Sequence, residues 1–458
     1  MRNSARLLEV IDRSLSGPLC EEKEFDLKHV AGGVARVRKE YDLRFDPTRI
    51  IQTDEALIDR LWEGAFDFLL RCGVYHTGTR RRMVFSRQEV EQALGEAPEE
   101  ARFGEGREAR ILRRRGIEDP RPPQVSGGPI GTPLSEDLWL PIMQSYWQEP
   151  VIDLVVPGTL STIAGREVRS RSPLEILAAW QEEALGREAA RRAGRPGLAR
   201  MCVEMAFSDI GHLSSISRGG FSPSDVHVVA MIGEMKTNTE LLNKVTHSIQ
   251  QNGVVLGFYN PILGGLAGPA EGVAVLIVAG FLAMHLIYMP ASVESCPTHA
   301  FHFNSTDPQI LRAVSAACAA VNRHTHLLTE FMTSPVSGPG TETLLEECVA
   351  MATVASACGA SRVLGVRSAV GIMENHCTGL EARFNGEVAR SAAGLSREQA
   401  DEIVRRAVAR YEPILGEKPA GVPFGRAYDL DTLRPRAEWQ GIYEKVREEA
   451  AGWGLRLT

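Results

Sequence analysis

The chain has 458 residues, 44% of them apolar and 24% charged, and a formal net charge of −7 at neutral pH. That balance describes a soluble globular protein and argues against nucleic acid as the main partner. Its eight cysteines include no C-x-x-C pair and several sit in apolar runs, which suits reduced thiols in a cytoplasm better than a disulfide framework.

Taken in chain order, residues 1–145 are charged and mainly helical, with amphipathic stretches at 57–72 and 86–94. The charged stretch 21–28 is not a signal peptide, since no apolar core accompanies it. Arginine triplets at 80–82 and 113–115 stand in mixed-charge surroundings and read as solvated faces or partner contacts. The segment Gly127-Gly128-Pro129-Ile130-Gly131-Thr132-Pro133 lacks both the lysine of a P-loop and the spacing of a dinucleotide fingerprint, so it reads as a structural turn. Residues 151–156 and 160–164 alternate around Pro157-Gly158 and predict a β-hairpin, placed to plug the bottom of a barrel.

Beyond this point helices and strands alternate. The helix Pro173–Arg192 stops at Gly194, Pro196 and Gly197, and the apolar run Met201–Phe207, with Glu204 inside it, reads as a buried strand. Further strands are expected at 227–232, 254–259, 291–295, 327–332 and 363–372, with helices between them. The run 272–289 is long and apolar enough for a membrane span. It contains His285 and lies between strand-helix units, so a buried helix is expected. Near-continuous apolar strands separated by helices predict a parallel sheet covered on all sides. The count approaches eight. The fold class is therefore α/β, a (β/α)8 TIM barrel with an N-terminal helical extension at 1–145. The barrel and its C-terminal packing helices take 146–458.

In such a barrel the active site lies at the C-terminal ends of the strands. This selects Glu204, Asp209, the region from Asp225 to His227, Phe258-Tyr259-Asn260, Glu294, the run from Phe301 to Asn304, and Phe331-Met332. A carboxylate such as Glu204 on a buried strand needs either a polar partner or a role in chemistry. His227 reads equally as a satisfied core histidine. Cys296, His299 and His302 invite a zinc reading, but their spacing puts His299 on the opposite face of a strand and Pro297 interrupts the run, so no metal site is expected.

The string Ala193-Gly194-Arg195-Pro196-Gly197 and the later pair Gly219-Gly220 resemble the monomethylamine methyltransferase family. So do Gly127 to Pro129, Ser135-Glu136-Asp137, the run from Gly264 to Gly268, Gly338-Pro339 with Thr341-Glu342, and the runs from Thr378 to Arg383 and from Gly386 to Arg390. The resemblance covers nearly the whole chain. It implies a TIM barrel that passes a methyl group from methylamine to a corrinoid protein, using a pyrrolysine on the strand after AGRPG. The matching position is Met201, or Cys202 if the register slips by one. The two glutamates and the glutamine that surround the family's pyrrolysine fall on Val228, Phe258 and Met332.

These departures imply a rebuilt, apolar pocket. Met201 has no electrophilic carbon with which to capture a primary amine. A quaternary ammonium needs no capture, because its amine leaves neutral, and aromatic faces hold it with about 0.5–2 kcal/mol each. Phe258, Tyr259, Phe301, Phe303 and Phe331 are candidates for that cage. The expected function is methyl transfer from a small methylated substrate to a corrinoid protein, the substrate being a methylated amine, quaternary ammonium favoured over monomethylamine. Glu204 and His227 are the expected catalytic residues, orienting the substrate. Met201, Cys202, Asp225, Val228, Phe258, Tyr259, Phe301 and Met332 are expected to line its site. No cofactor is expected to bind tightly, since the corrinoid (cobalamin) comes on the partner protein. A homo-oligomer in the cytoplasm, with no membrane or nucleic-acid partner, is also implied. Two alternatives stand beside this reading: a non-catalytic paralogue that binds a corrinoid protein or an amine, and a methyl ether or thioether demethylase.

Overall fold

The computed structural model describes residues 2–202, 208–217 and 220–457. Eight parallel strands form the central sheet: β1 Gln124–Gly127, β2 Leu154–Val155, β3 Met201–Cys202, β4 Val226–Met231, β5 Val254–Tyr259, β6 Ser292–Ser295, β7 Thr329–Thr333 and β8 Arg362–Gly365. They follow one another in chain order, and β8 pairs back onto β1. The sheet closes through a parallel bridge between Val155 and Arg200, where the Val155 N–H donates to the Ala199 carbonyl at 3.0 Å. Each strand feeds a helix: α1 Trp139–Trp147, α2 Pro173–Arg192, α3 Asp209–Ile216, α4 Thr239–Gln250, α5 Ala270–Ile287, α6 Pro308–His324, α7 Glu342–Ala357 and α8 Gly379–Ser391. This is the expected TIM barrel, preceded by the expected helical extension.

Two expectations about its edges are corrected. The barrel begins at Gln124 rather than after residue 145, because Gly127-Gly128 ends a strand. A Cβ on Gly127 would meet Ile152 Cδ1 at 2.2 Å, and one on Gly128 would sit 1.8 Å from the Val156 carbonyl oxygen. Strands β1 and β2 approach closely only because these side chains are missing. The hairpin expected over 151–164 does not form either. Leu154–Val155 is barrel strand β2, and Thr159–Leu160 runs parallel to Pro133–Leu134.

The bottom of the barrel is plugged instead by the antiparallel hairpin Glu100–Phe103 and Arg110–Arg113, whose Phe103 and Leu112 enter the lumen core. The AGRPG string anchors this plug. Glu105 N–H donates to the Gly197 carbonyl at 2.8 Å, and a Cβ on Gly197 would lie 2.5 Å from the Glu105 carbonyl oxygen. Arg195 donates to the carbonyls of Ile152 (2.9 Å) and Glu149 (3.0 Å) and pairs with Glu108. The motif is a structural joint at the floor of the barrel.

In the extension, the helix Glu55–Cys72 packs across α5 and α6. It is capped by Asp54, whose carboxylate accepts the Ala56 N–H, and it stops at Gly73 with φ +68°. Covered on one side by the barrel and on the other by this helix, α5 has no polar face to show. It is long and apolar enough to cross a membrane, yet 94% of it is buried.

Candidate active site

Side chains alternate along each strand between the lumen and the helices, and the two packing layers separate accordingly. Leu154, Met201, Val226, Val228, Leu256, Met332 and Leu364 gather in the lumen with half-buried Phe258, while Val229, Val255, Tyr259, Val293, Phe331 and Val363 pack under the helices. Met201, Val228, Phe258 and Met332 therefore share one wall system. Ala230, two residues beyond Val228 and paired with Phe258, is exposed, so the lumen reaches solvent at this level.

The register places Glu294 directly beside Phe258 on one side and beside Glu330 on the other. Glu294 is buried and lies on the lumen face of β6. Cys296, two residues on, continues that face and joins the lumen core. Its N–H donates to Asn260 Oδ1 at 3.0 Å. Burial pushes its thiol up to about 12, so it is protonated at neutral pH.

The remaining expected site residues lie elsewhere. Glu204 falls outside the described residues. His227 points outward from β4 into the helix layer, where its Nδ1 faces His212 Nε2 at 3.3 Å and its Nε2 meets the Ser222 carbonyl at 3.1 Å. Burial lowers the pKa of both imidazoles and keeps them neutral. Asp225 precedes β4 at the floor of the barrel, the end opposite the mouth. It accepts the N–H groups of Arg200 (2.8 Å) and Ser222 (2.9 Å) and pairs with the Arg200 guanidinium.

Cys202 packs outward against Ile216 and Phe221, its thiol also raised to about 12 by burial. Tyr259 lies against Gly280 of α5, and Phe331 lies 6.0 Å from the Phe281 ring. For all of these, one step along a strand has turned the side chain away from the lumen. Phe301 and Phe303 sit on the rim loop after β6, 76% and 52% exposed. Lys418 bonds the Phe301 carbonyl at 2.7 Å and rides 5.0 Å over the Phe303 ring.

Cys296, His299 and His302 do not converge, because Cys296 is in the lumen while the two imidazoles stack in the rim loop at 4.4 Å. Asp307 approaches the histidines to make a group whose ligand atoms lie within 4.8 Å of one another. However, His299 Nδ1 accepts the N–H groups of Phe301 and His302, which leaves its proton on Nε2. A metal would have to displace those bonds or that proton.

One residue that the strand pattern concealed is Arg367. The run 363–372 reads as a single strand, but β8 ends at Gly365 and a short 3₁₀ turn follows at 368–371. Arg367 is thereby left at the mouth. A basic residue just past an apolar strand was the available signal.

The chain and its fold have close counterparts. Residues 6–455 match the family described as monomethylamine methyltransferase MtmB. Monomethylamine methyltransferase MtmB2 of Methanosarcina acetivorans is 32% identical over 97% of both chains, and MtmB1 of Methanosarcina barkeri is 31% identical over 99% of both. The crystal structure of the Methanosarcina barkeri monomethylamine methyltransferase superposes with a TM-score of 0.95 at 31% identity, covering 98% of each chain, and so does the crystal structure of the hydroxylamine MtmB complex. The chain belongs to the monomethylamine methyltransferase family.

Proposed function

We propose that this protein transfers a methyl group to a separate corrinoid protein without using pyrrolysine, and that it takes a quaternary ammonium substrate in preference to monomethylamine. The observation that carries this reading is the shared lumen wall of Met201, Val228, Phe258 and Met332. These are the positions that the family resemblance assigns to pyrrolysine and its polar neighbours. None can capture a primary amine through a covalent bond or hydrogen-bond its N–H groups. A quaternary ammonium needs neither, and a ring face with a nearby carboxylate suits it. Phe258 and Glu294 are register neighbours at the level where the lumen meets solvent.

In the transfer, the substrate C–N bond breaks with its electron pair returning to nitrogen, the amine leaves neutral, and the methyl passes to the electron pair of reduced cobalt. The chain's own residues position the ammonium and keep bulk water from the reacting carbon. The mouth fits a docking partner that presents a broad group. Exposed Ile232, Ile262, Phe301, Phe303, Ile372 and Met373 surround it. Exposed Ala230 and half-buried Phe258 at the top of the lumen support an enzyme over a paralogue whose lumen is filled.

The test is methylation of a purified corrinoid protein reduced to cobalt(I), followed by its absorption spectrum. Tetramethylammonium and betaine-type donors are expected to support turnover and monomethylamine is not. Robust turnover with monomethylamine would overturn the proposal. Turnover with methyl ethers alone would replace it by the demethylase reading.

A further inference from the structure

Arg367 is a half-buried cation at the mouth, and among the described residues no carboxylate pairs with it. Its backbone N–H donates to the Thr333 carbonyl at 3.0 Å, which fixes the chain just past β8. Its Nε donates to the Ile130 carbonyl at 3.3 Å, and Ile130 belongs to the lumen core. Gly371 closes the 3₁₀ turn onto the same group, so tightly that a Cβ there would lie 2.4 Å from Arg367 Nε. The guanidinium is thus held in place on the β8–β1 side of the mouth. Among the described residues no acidic oxygen lies within 4 Å of it, and its two Nη groups have no protein partner. A guanidinium offers five N–H donors in a planar fork, and a half-buried one is ordinarily paired. Among the described residues this one places a single side-chain donor on protein.

Across the mouth, Phe258 and Glu294 stand on β5 and β6. Cys296 lies one step above Glu294 on the same face. After burial, the two largest influences on its thiol are Arg367, which lowers its pKa, and Glu294, which raises it. Cys296 therefore feels both charges. A ligand that crosses from the β5–β6 wall to the β8–β1 rim meets a carboxylate and a ring face at one end and a fixed guanidinium fork at the other.

We infer that the substrate is zwitterionic, a short N-methylated amino acid whose quaternary ammonium rests against Phe258 and Glu294 and whose carboxylate is bound by Arg367. This rests on the lumen being the site of an alkylammonium, as proposed above, and adds the second half of the ligand. An arginine fork binds a carboxylate through two parallel charge-assisted bonds, which gives orientation as well as affinity. With its carboxylate fixed at the rim, the ligand lies across the mouth and turns an N-methyl group toward the opening.

Calorimetric titration with three matched ligands tests this. Glycine betaine carries both charges, choline keeps the trimethylammonium without the carboxylate, and 3,3-dimethylbutanoate keeps the carboxylate with a neutral head of the same shape. The wild type is expected to bind glycine betaine about tenfold or more tightly than choline. Arg367→Gln is expected to erase that advantage and leave choline within about twofold of its wild-type affinity. Arg367→Lys, which keeps the charge but not the fork, is expected to fall between. Equal binding of betaine and choline by the wild type overturns the carboxylate subsite, whatever the variants do. If dimethylbutanoate binds as well as betaine, the subsite stands and the ammonium pocket is the part that fails. Unliganded melting curves of both variants check that the fold survives. If the Gln variant is unfolded, the Lys variant and the wild-type ligand comparison decide the matter.

Discussion

Phe258 and Tyr259 are adjacent aromatic residues on one strand, yet they face different worlds. Phe258 is half-buried at the lumen, and Tyr259 is fully buried against α5. Phe258→Ala is therefore expected to weaken binding of a quaternary ammonium by about two- to thirtyfold, the worth of one desolvated ring face. Tyr259→Phe is expected to leave it unchanged, with calorimetry as the measure. A sequence marks strand ends well but shows which face a residue takes only once the register is known. For that reason Met201, Val228 and Met332 reach the lumen as expected from the family pattern while Cys202, His227 and Phe331 do not. Lower in the lumen the balance of charge is structural. Arg362 and Glu330 form a buried bidentate pair, with Nε to Oε2 at 2.8 Å, and the guanidinium stacks 5.0 Å over Phe103 of the plug. Removing one partner, as in Glu330→Gln, leaves an uncompensated buried charge and is expected to cost about 3–5 kcal/mol in urea unfolding. Replacing both with apolar residues of similar volume is expected to cost far less.

Single elements explain why some parts of the barrel were readable and others hidden. Strands β4 and β5 are apolar runs between turn signals, and helix α5 is an unbroken apolar stretch, so each is visible from composition. Strand β1 reads Gln-Val-Ser-Gly and strand β2 is two residues long. Neither carries the hydrophobic periodicity of a strand, because glycine-dependent close approach takes the place of side-chain packing there. Helix α5 also makes two predictions. A Cβ on Gly280 would come within 2.3 Å of the Tyr259 ring. Gly280→Ala is thus expected to destabilise the protein by about 1–3 kcal/mol through overpacking, seen as a lower urea midpoint with an unchanged slope. His285, buried in the same helix, has its pKa driven down to about 3 by desolvation. The folded state therefore refuses a proton that the unfolded chain accepts below about 6.5. This group's contribution to stability is complete above about pH 6.5 and is lost as pH falls toward 3. Between pH 7.5 and pH 5 the loss amounts to about 2 kcal/mol. A His285→Leu variant should be spared it, so its stability is expected to fall by that much less than the wild type's over the same interval. Parallel pH dependence of the two proteins would contradict the assignment.

At the scale of the whole molecule, the helical extension and the barrel are one core rather than two domains. Buried residues of the extension such as Leu61, Phe68 and Leu69 belong to the same contiguous cluster as Val273, Ile277 and Phe281 of α5. The extension's β-strand Val74–His76 also pairs in parallel with Lys236–Thr237, just past β4. The sequence suggested a boundary because charge and helix content change along the chain. That contrast is real, but it marks surface composition and not a gap in packing. It follows that the barrel cannot shed the extension. A chain lacking residues 1–98 keeps all eight barrel strands and the plugging hairpin, yet it exposes the outer side of an eighteen-residue helix that has no polar face. An exposed apolar surface of that extent drives association rather than a folded monomer. The truncated chain is expected to be insoluble, or to be soluble only as an aggregate that binds hydrophobic dyes and unfolds without a cooperative transition. The full chain should unfold in a single transition, followed by both helix signal and tryptophan fluorescence. Trp62 lies in the extension while Trp139 and Trp147 lie on barrel helix α1, so the fluorescence reports on both parts together. A soluble truncated barrel with its own sharp melting transition would show that the extension is an independent domain, and that α5 finds its cover elsewhere.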